Sequence, residues 1–292
     1  MELCQLLDST GYFILMESTH KRVNQLNTNL LEYDSMSSIK YLLQSVINSM
    51  SSIEYLFQSV ITKLFRNSND TMTMGLSRSK NRGHIINTVI DVGASNGSWT
   101  LLCKKYFPNA FYFLIEAQVA HEDSLKKLKS KTANVDYIIK AAGDNVGVVY
   151  FDDRDPFGGV ASHKSFDKVS MVVVPMTTVD NVVKERKLEP PFLLKLDTHG
   201  FEIPILNGAL ETLRNTEVLV IEAYNFKLTA YDSKSENVAI KFYELCMYLE
   251  NKGFRCIDIM DILRRPNDNA LWQMDFVFIK DNNKIFAKND YI

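Results

Sequence analysis

Long apolar runs are missing from this chain. No stretch approaches the ~20 continuous apolar residues of a transmembrane helix, and no basic segment followed by an apolar run begins it. A soluble, cytoplasmic protein without a membrane span is therefore expected. Cysteine is sparse as well. Cys4, Cys103, Cys246 and Cys256 form no C-x-x-C pair and have no ligand-like spacing to histidine. That pattern excludes a disulfide framework and a zinc site, and no metal is expected. Neither sign of charge dominates: 33 basic residues face 35 acidic ones, for a net charge of −2. With no global positive field to grip a polyphosphate backbone, nucleic acid is not expected as a partner.

What is present divides into two textures. Residues 1–75 read as a helical extension and 76–292 as the main domain. Within the extension, "SSIKYLLQSVINSM" (37–50) is followed at once by "SSIEYLFQSVITKL" (51–64), a repeat of two heptads. Ile39, Val46, Ile53 and Val60 fall seven apart, with Leu42 and Leu56 three residues after their isoleucines and Ser49 and Lys63 interrupting the seam. Such a helix either joins two copies of the chain into a homo-oligomer or packs its stripe on its own domain. Residues 66–84 are polar and read as a connecting loop.

From residue 85 short apolar strands alternate with helices, which indicates a doubly wound α/β sheet, mostly parallel and covered on both faces. Strands are expected at 85–92, 110–117, 135–142, 192–197 and 217–226, with helices at 97–107, 119–131, 204–214 and 236–252. Two final strands, 254–262 and 275–280, are close enough to form an antiparallel hairpin at one edge. The stretches 147–153 and 168–176 read as an inserted antiparallel pair.

Ligands of such sheets bind at the carboxyl ends of the strands. There the first strand runs into Asp91-Val92-Gly93-Ala94-Ser95-Asn96-Gly97. Glycines allow the backbone to approach a ligand, and the next helix offers free N–H groups. The lysine of a phosphate-binding P-loop is absent, and so is the third glycine of a dinucleotide fingerprint. The remaining acid-x-Gly-x-small-x-Gly pattern resembles the first motif of S-adenosylmethionine-dependent methyltransferases, with Ser95 at the commoner middle glycine. Glu116, followed by Ala117, ends the second strand, where a carboxylate can accept from both ribose hydroxyls of a nucleoside. Asp144, in "AAGD", is placed to meet an adenine amino group.

The most specific stretch is "FLLKLDTHGFEIPILNGALETL" (192–213). It resembles the FkbM family of S-adenosylmethionine-dependent methyltransferases through Lys195, Asp197, Gly200, Glu202, Leu206, Gly208 and Ala209, with "TTVDNVV" (177–183) upstream. The resemblance spans roughly residues 85–280 and departs at Ser95 and His199. It implies a Rossmann-like class I methyltransferase fold with S-adenosyl-L-methionine as cofactor. Its cofactor site would comprise Asp91, Gly93, Ser95, Asn96, Gly97, Glu116, Ala117, Asp144 and Asp197. It also implies O-methylation of a hydroxyl on a small-molecule or saccharide acceptor.

A hydroxyl attacks poorly unless a base takes its proton, and Asp197 and His199 sit just past the fourth long strand for that task. Glu202 is expected to support them or to cap the following helix. The glycine-containing segment 152–166, with His163, is expected to line an acceptor pocket or form an ordinary hairpin loop. Tyr224 and Asn225 are expected on the same rim. Asp197, His199 and Glu222 lack a second histidine at ligand spacing, which argues against a metal. The competing functions are an NAD-dependent oxidoreductase and a non-catalytic assembly module with a degenerate cofactor site.

Overall fold

The computed structural model describes residues 70–165, 170–226, 240–288 and 290–291. The repeat at 37–64, with its dimerisation alternative, lies outside the described residues.

Seven strands form the main sheet: β1 (Thr88–Val92), β2 (Phe111–Glu116), β3 (Val135–Ile139), β8 (Phe192–Leu196), β9 (Thr216–Tyr224), β10 (Phe254–Arg264) and β11 (Leu271–Lys280). Their order is β10-β11-β9-β8-β1-β2-β3. β1 lies centrally, parallel to β2 on one side and β8 on the other. β11 runs antiparallel to both β9 and β10, so the expected hairpin exists, and its second strand sits one place in from the edge.

Every residue of β1 and β8 is buried. Their side chains alternate between two cores. Ile90, Val92, Leu194 and Leu196 belong to one, which also holds residues of α4 (Val179–Arg186), α5 (Glu202–Asn207), α6 (Leu210–Arg214) and α7 (Phe242–Glu250). Val89 and Leu193 belong to the other, with residues of α1 (Met72–Asn81), α2 (Ser98–Lys104) and α3 (Glu122–Lys131). A fully buried aliphatic or aromatic side chain contributes about 1.5–3 kcal/mol, so this double burial dominates stability.

A second, four-stranded sheet has the order β4-β7-β5-β6, made of β4 (Ala141–Ala142), β5 (Gly147–Asp152), β6 (Val160–Ser162) and β7 (Val172–Thr177). β5 and β7 are the expected antiparallel pair. The expected single strand 135–142 divides at Lys140, whose N–H still donates to Glu116 O at 2.8 Å; beyond it the chain passes to the smaller sheet.

Two elements differ from the sequence reading. The polar stretch 66–84 contains α1, which begins ahead of the expected boundary at 75. Thr71 caps it by accepting from Met74 N–H, Leu76 is buried, and Arg78 binds Asp258 of β10 through two hydrogen bonds of 2.6 and 2.8 Å. The helix expected at 204–214 is interrupted at Gly208–Ala209. A Cβ on Gly208 would lie 2.0 Å from Gly143 O, so two loops meet backbone to backbone there.

Candidate functional site

The carboxyl ends of β1, β2 and β8 share one rim because the three strands are parallel and adjacent. A cavity of about 160 Å³ opens there. Gly93, Ser95, Glu116 and Ala117 line it from the first two strands, and Asp197 and His199 from the third. The two groups of residues that the sequence placed in one site therefore do meet.

The glycine turn is built for close approach. Gly93 has φ +73°, and a Cβ there would lie 2.0 Å from Asp197 O. Ser95 also adopts a left-handed conformation, φ 49°, which presents its N–H to Glu116. Glu116 is buried and held by two backbone donors, Ser95 N–H to Oε2 at 2.7 Å and Gln118 N–H to Oε1 at 2.8 Å. The carboxylate is thereby fixed at the cavity wall with acceptor capacity left for a ligand's hydroxyls.

Several expected cofactor residues stand elsewhere. Asp91 has no solvent exposure and does not line the cavity. Its Oδ2 accepts from Thr100 Oγ1 at 2.6 Å, which ties β1 to α2. Gly97 turns the chain into α2 with φ 82°. Asn96 Oδ1 accepts from the N–H and the hydroxyl of Ser98. Asp144 is half-exposed beside His163, 3.5 Å away, outside the cavity wall. Glu202 is buried beneath the turn, where its Oε1 accepts from Gly200 N–H at 2.9 Å and Thr198 Oγ1 at 3.2 Å. It organises the 198–200 backbone at the start of α5 and is not among the residues lining the cavity, a place that suits the supporting or capping role expected of it more than a direct catalytic contact.

A lysine the sequence reading gave no chemical role is the hub. Lys195 lies opposite Asp91 in the β1–β8 register and is almost fully buried. Its Nζ is 3.3 Å from Asp91 Oδ1, 3.0 Å from Asp197 Oδ2 and 3.2 Å from Gly93 O. Burial disfavours its charge, but Asp197 and Asp91 outweigh that and hold it protonated well above the ordinary lysine range. Burial likewise pushes Asp197 up, and Lys195 and His199 together bring it below the usual carboxylate value. One lone cation in an otherwise apolar strand was the available signal, because a buried charge requires partners.

His199 sits at φ 52°, followed by Gly200 at φ 112°. Its Nδ1 is 3.1 Å from Glu222 Oε1 and 2.8 Å from the Tyr224 hydroxyl, and its Nε2 is 3.0 Å from Phe157 O. Tyr224 also donates to Glu222 Oε1, and Gln273 Nε2 donates to Oε2 at 2.7 Å. Burial works against the imidazolium, but Glu222 and then Asp197 outweigh it and raise the pKa to about 9. At neutral pH the ring is charged, and both nitrogens donate.

Asp197, His199 and Glu222 converge, with ligating atoms within 4.8 Å of one another, a spacing a metal ion can bridge. Between the two carboxylates the imidazolium itself supplies a positive charge. Tyr224 is buried in this network, whereas Asn225 turns its amide to Leu271 O and belongs to the β9–β11 connection.

The order of the main sheet and a glycine turn beside a strand-end acid define a class I methyltransferase. The family described as Methyltransferase FkbM domain matches residues 91–256, more than half of the chain. The chain belongs to the FkbM methyltransferase family. No curated protein matches the sequence.

Among solved structures, the FkbM methyltransferase from Methylobacillus flagellatus is 15% identical over 65% of this chain and 43% of its own, with a TM-score of 0.42. The Methanococcus jannaschii fibrillarin pre-rRNA processing protein is 13% identical over 68% of each chain, with a TM-score of 0.42. A methyltransferase from Aquifex aeolicus is 14% identical over 76% of this chain and 97% of its own, with a TM-score of 0.38. The chain thus spans less than half the length of the first of these. Family membership removes the nicotinamide oxidoreductase alternative. Among the described residues, no helix is long and apolar enough to cross a membrane.

Proposed function

We propose that this protein transfers a methyl group from S-adenosylmethionine to a hydroxyl of a small-molecule acceptor, a saccharide or glycoconjugate in preference. The observation that carries the reading is the single cavity, walled on one side by Gly93, Ser95 and Glu116 and on the other by Asp197 and His199. The first group fits the donor. Glu116 is positioned for its ribose, and Gly93 and Ser95 leave main chain accessible beside it.

The sulfonium supplies an electrophilic methyl carbon, so the chain's own task is alignment and proton handling. Asp197 lines the cavity as an ionised carboxylate and accepts a hydrogen bond from the acceptor O–H, turning an oxygen lone pair toward the methyl carbon. Asp197 would take the proton that the acceptor hydroxyl loses on methylation, and the spent donor would leave as S-adenosylhomocysteine. His199, already protonated, is assigned to positioning and not to the base. The absence of a net basic field and the mixed polar and aromatic lining support a neutral polar acceptor over a nucleic acid.

The test is transfer of a labelled methyl group from S-adenosylmethionine into fractionated sugars, glycolipids and small hydroxylated metabolites, with the linkage read by mass spectrometry. An O-methyl ether on a hydroxylated acceptor is expected. Methylation of nitrogen or carbon would overturn the O-transfer reading. Failure to bind the donor would favour the assembly-module alternative, and donor binding without transfer to any fraction would overturn the acceptor class.

A further inference from the structure

One wall of the cavity is made of neither β1, β2 nor β8. Residues 153–159 join β5 to β6, and Pro156, Phe157 and Gly159 of this strap line the cavity. The attachment of this strap is almost wholly polar. Gln118 Nε2 donates to Asp155 O at 3.1 Å and to Pro156 O at 3.2 Å. His121 Nε2 reaches Pro156 O at 2.6 Å, and His199 Nε2 reaches Phe157 O at 3.0 Å. The strap's largest side chain, Phe157, is 66% exposed and so contributes little burial to holding it down. At Gly159 a Cβ would meet Gln118 Nε2 and the Phe151 ring, each at 2.6 Å, so the strap passes close over both.

The second observation is size. Sites for small molecules enclose roughly 300–1,000 Å³. The cavity beneath the strap holds about 160 Å³. This volume lies below that range, so a lifted strap would give a nucleoside-sized donor more room. Hydrogen bonds to backbone carbonyls are individually weak in net terms and are released one at a time, as expected of a segment that opens locally.

We propose that the 153–159 strap is a gate over the donor–acceptor cavity, and that Gln118, His121 and His199 are positioning residues that latch it shut through its carbonyls. The latches come from both halves of the site. Gln118 and His121 follow β2 on the donor side, and His199 follows β8 on the acceptor side. Closure therefore reports on both halves at once, and exchange of donor and product requires the strap to lift. The gate rests on the reading of the cavity as the donor site, whereas the latch does not.

The test uses the full chain and S-adenosylhomocysteine as probe. Gln118→Ala is compared with His121→Ala, which removes a latch outside the cavity wall and so separates gating from lost ligand contact. Hydrogen exchange of peptides covering 153–159 in the ligand-free protein is expected to quicken about tenfold in either variant, the effect of losing one such bond. The association rate of S-adenosylhomocysteine is expected to rise by a similar factor, because a latched gate taxes entry by the fraction of time it is open. A fixed wall would leave the association rate unchanged. Unchanged strap exchange in both variants overturns the latch; faster exchange with an unchanged association rate overturns the gate. If S-adenosylhomocysteine fails to bind the wild-type protein, the donor-site reading and the gate fall, while exchange in the ligand-free protein still judges the latch.

Discussion

Two charged groups, Lys195 and the half-buried His199, organise the candidate site, and each is readable in a titration or an unfolding curve. Lys195 is almost fully buried between Asp91, which has no exposure, and Asp197. Removing one partner of a buried ion pair leaves the other uncompensated and costs about 3–5 kcal/mol. Lys195→Met is therefore expected to lose stability of that order in urea unfolding at pH 7, and a loss below ~1 kcal/mol would refute the hub role. His199 has a folded pKa of about 9 against an ordinary value of 6.5. A raised pKa stabilises the fold fully below the unfolded value, and that contribution disappears as pH rises through the folded one. The wild-type protein should thus lose up to about 3 kcal/mol between roughly pH 6.5 and 9 that His199→Gln does not. Chemical unfolding of both proteins across that window checks it; parallel curves would contradict the ion network. Asp197 and His199 could be located from their place after a strand, but the state of the imidazole could not. Its partners lie 23, 25 and 42 residues away in sequence, brought together only by β9 and the strap.

Elements were legible where burial wrote itself into the sequence. β1, β2 and β8 are apolar runs because a parallel strand is covered on both faces, and the first glycine turn announced itself by composition. α1 was not legible. Its residues are polar, and what makes it a helix is distant: the Arg78–Asp258 pair and the packing of Gly75 against Met260, whose Sδ a Cβ would meet at 1.6 Å. The break between α5 and α6 was hidden for a similar reason, since Gly208 serves a contact with Gly143 and not a local turn preference. Gly208→Ala should force that junction apart and cost about 1–3 kcal/mol. Thermal unfolding measures it, and a melting temperature equal to the wild type's would show that the two loops can separate freely. The sequence leaves the strap between β5 and β6 open as either the lining of an acceptor pocket or an ordinary hairpin loop, and the structure places part of it at the cavity. Its latches were not legible, because they end on backbone carbonyls that carry no side-chain signature.

At the scale of the molecule, parallel strand order does what no single element can. It sets the tips of β1, β2 and β8 side by side, so Glu116 and Asp197 line one space. The central claim is that this space is the S-adenosylmethionine site with Glu116 as its ribose partner. Isothermal titration of S-adenosylhomocysteine into wild-type protein and Glu116→Ala tests it most directly. Loss of charge-assisted hydrogen bonds worth about 1.5–3 kcal/mol weakens binding about 10- to 100-fold. The account predicts saturable binding to the wild type and a loss of that size in the variant. A wild-type protein that does not bind, or a variant that binds as tightly, would contradict it.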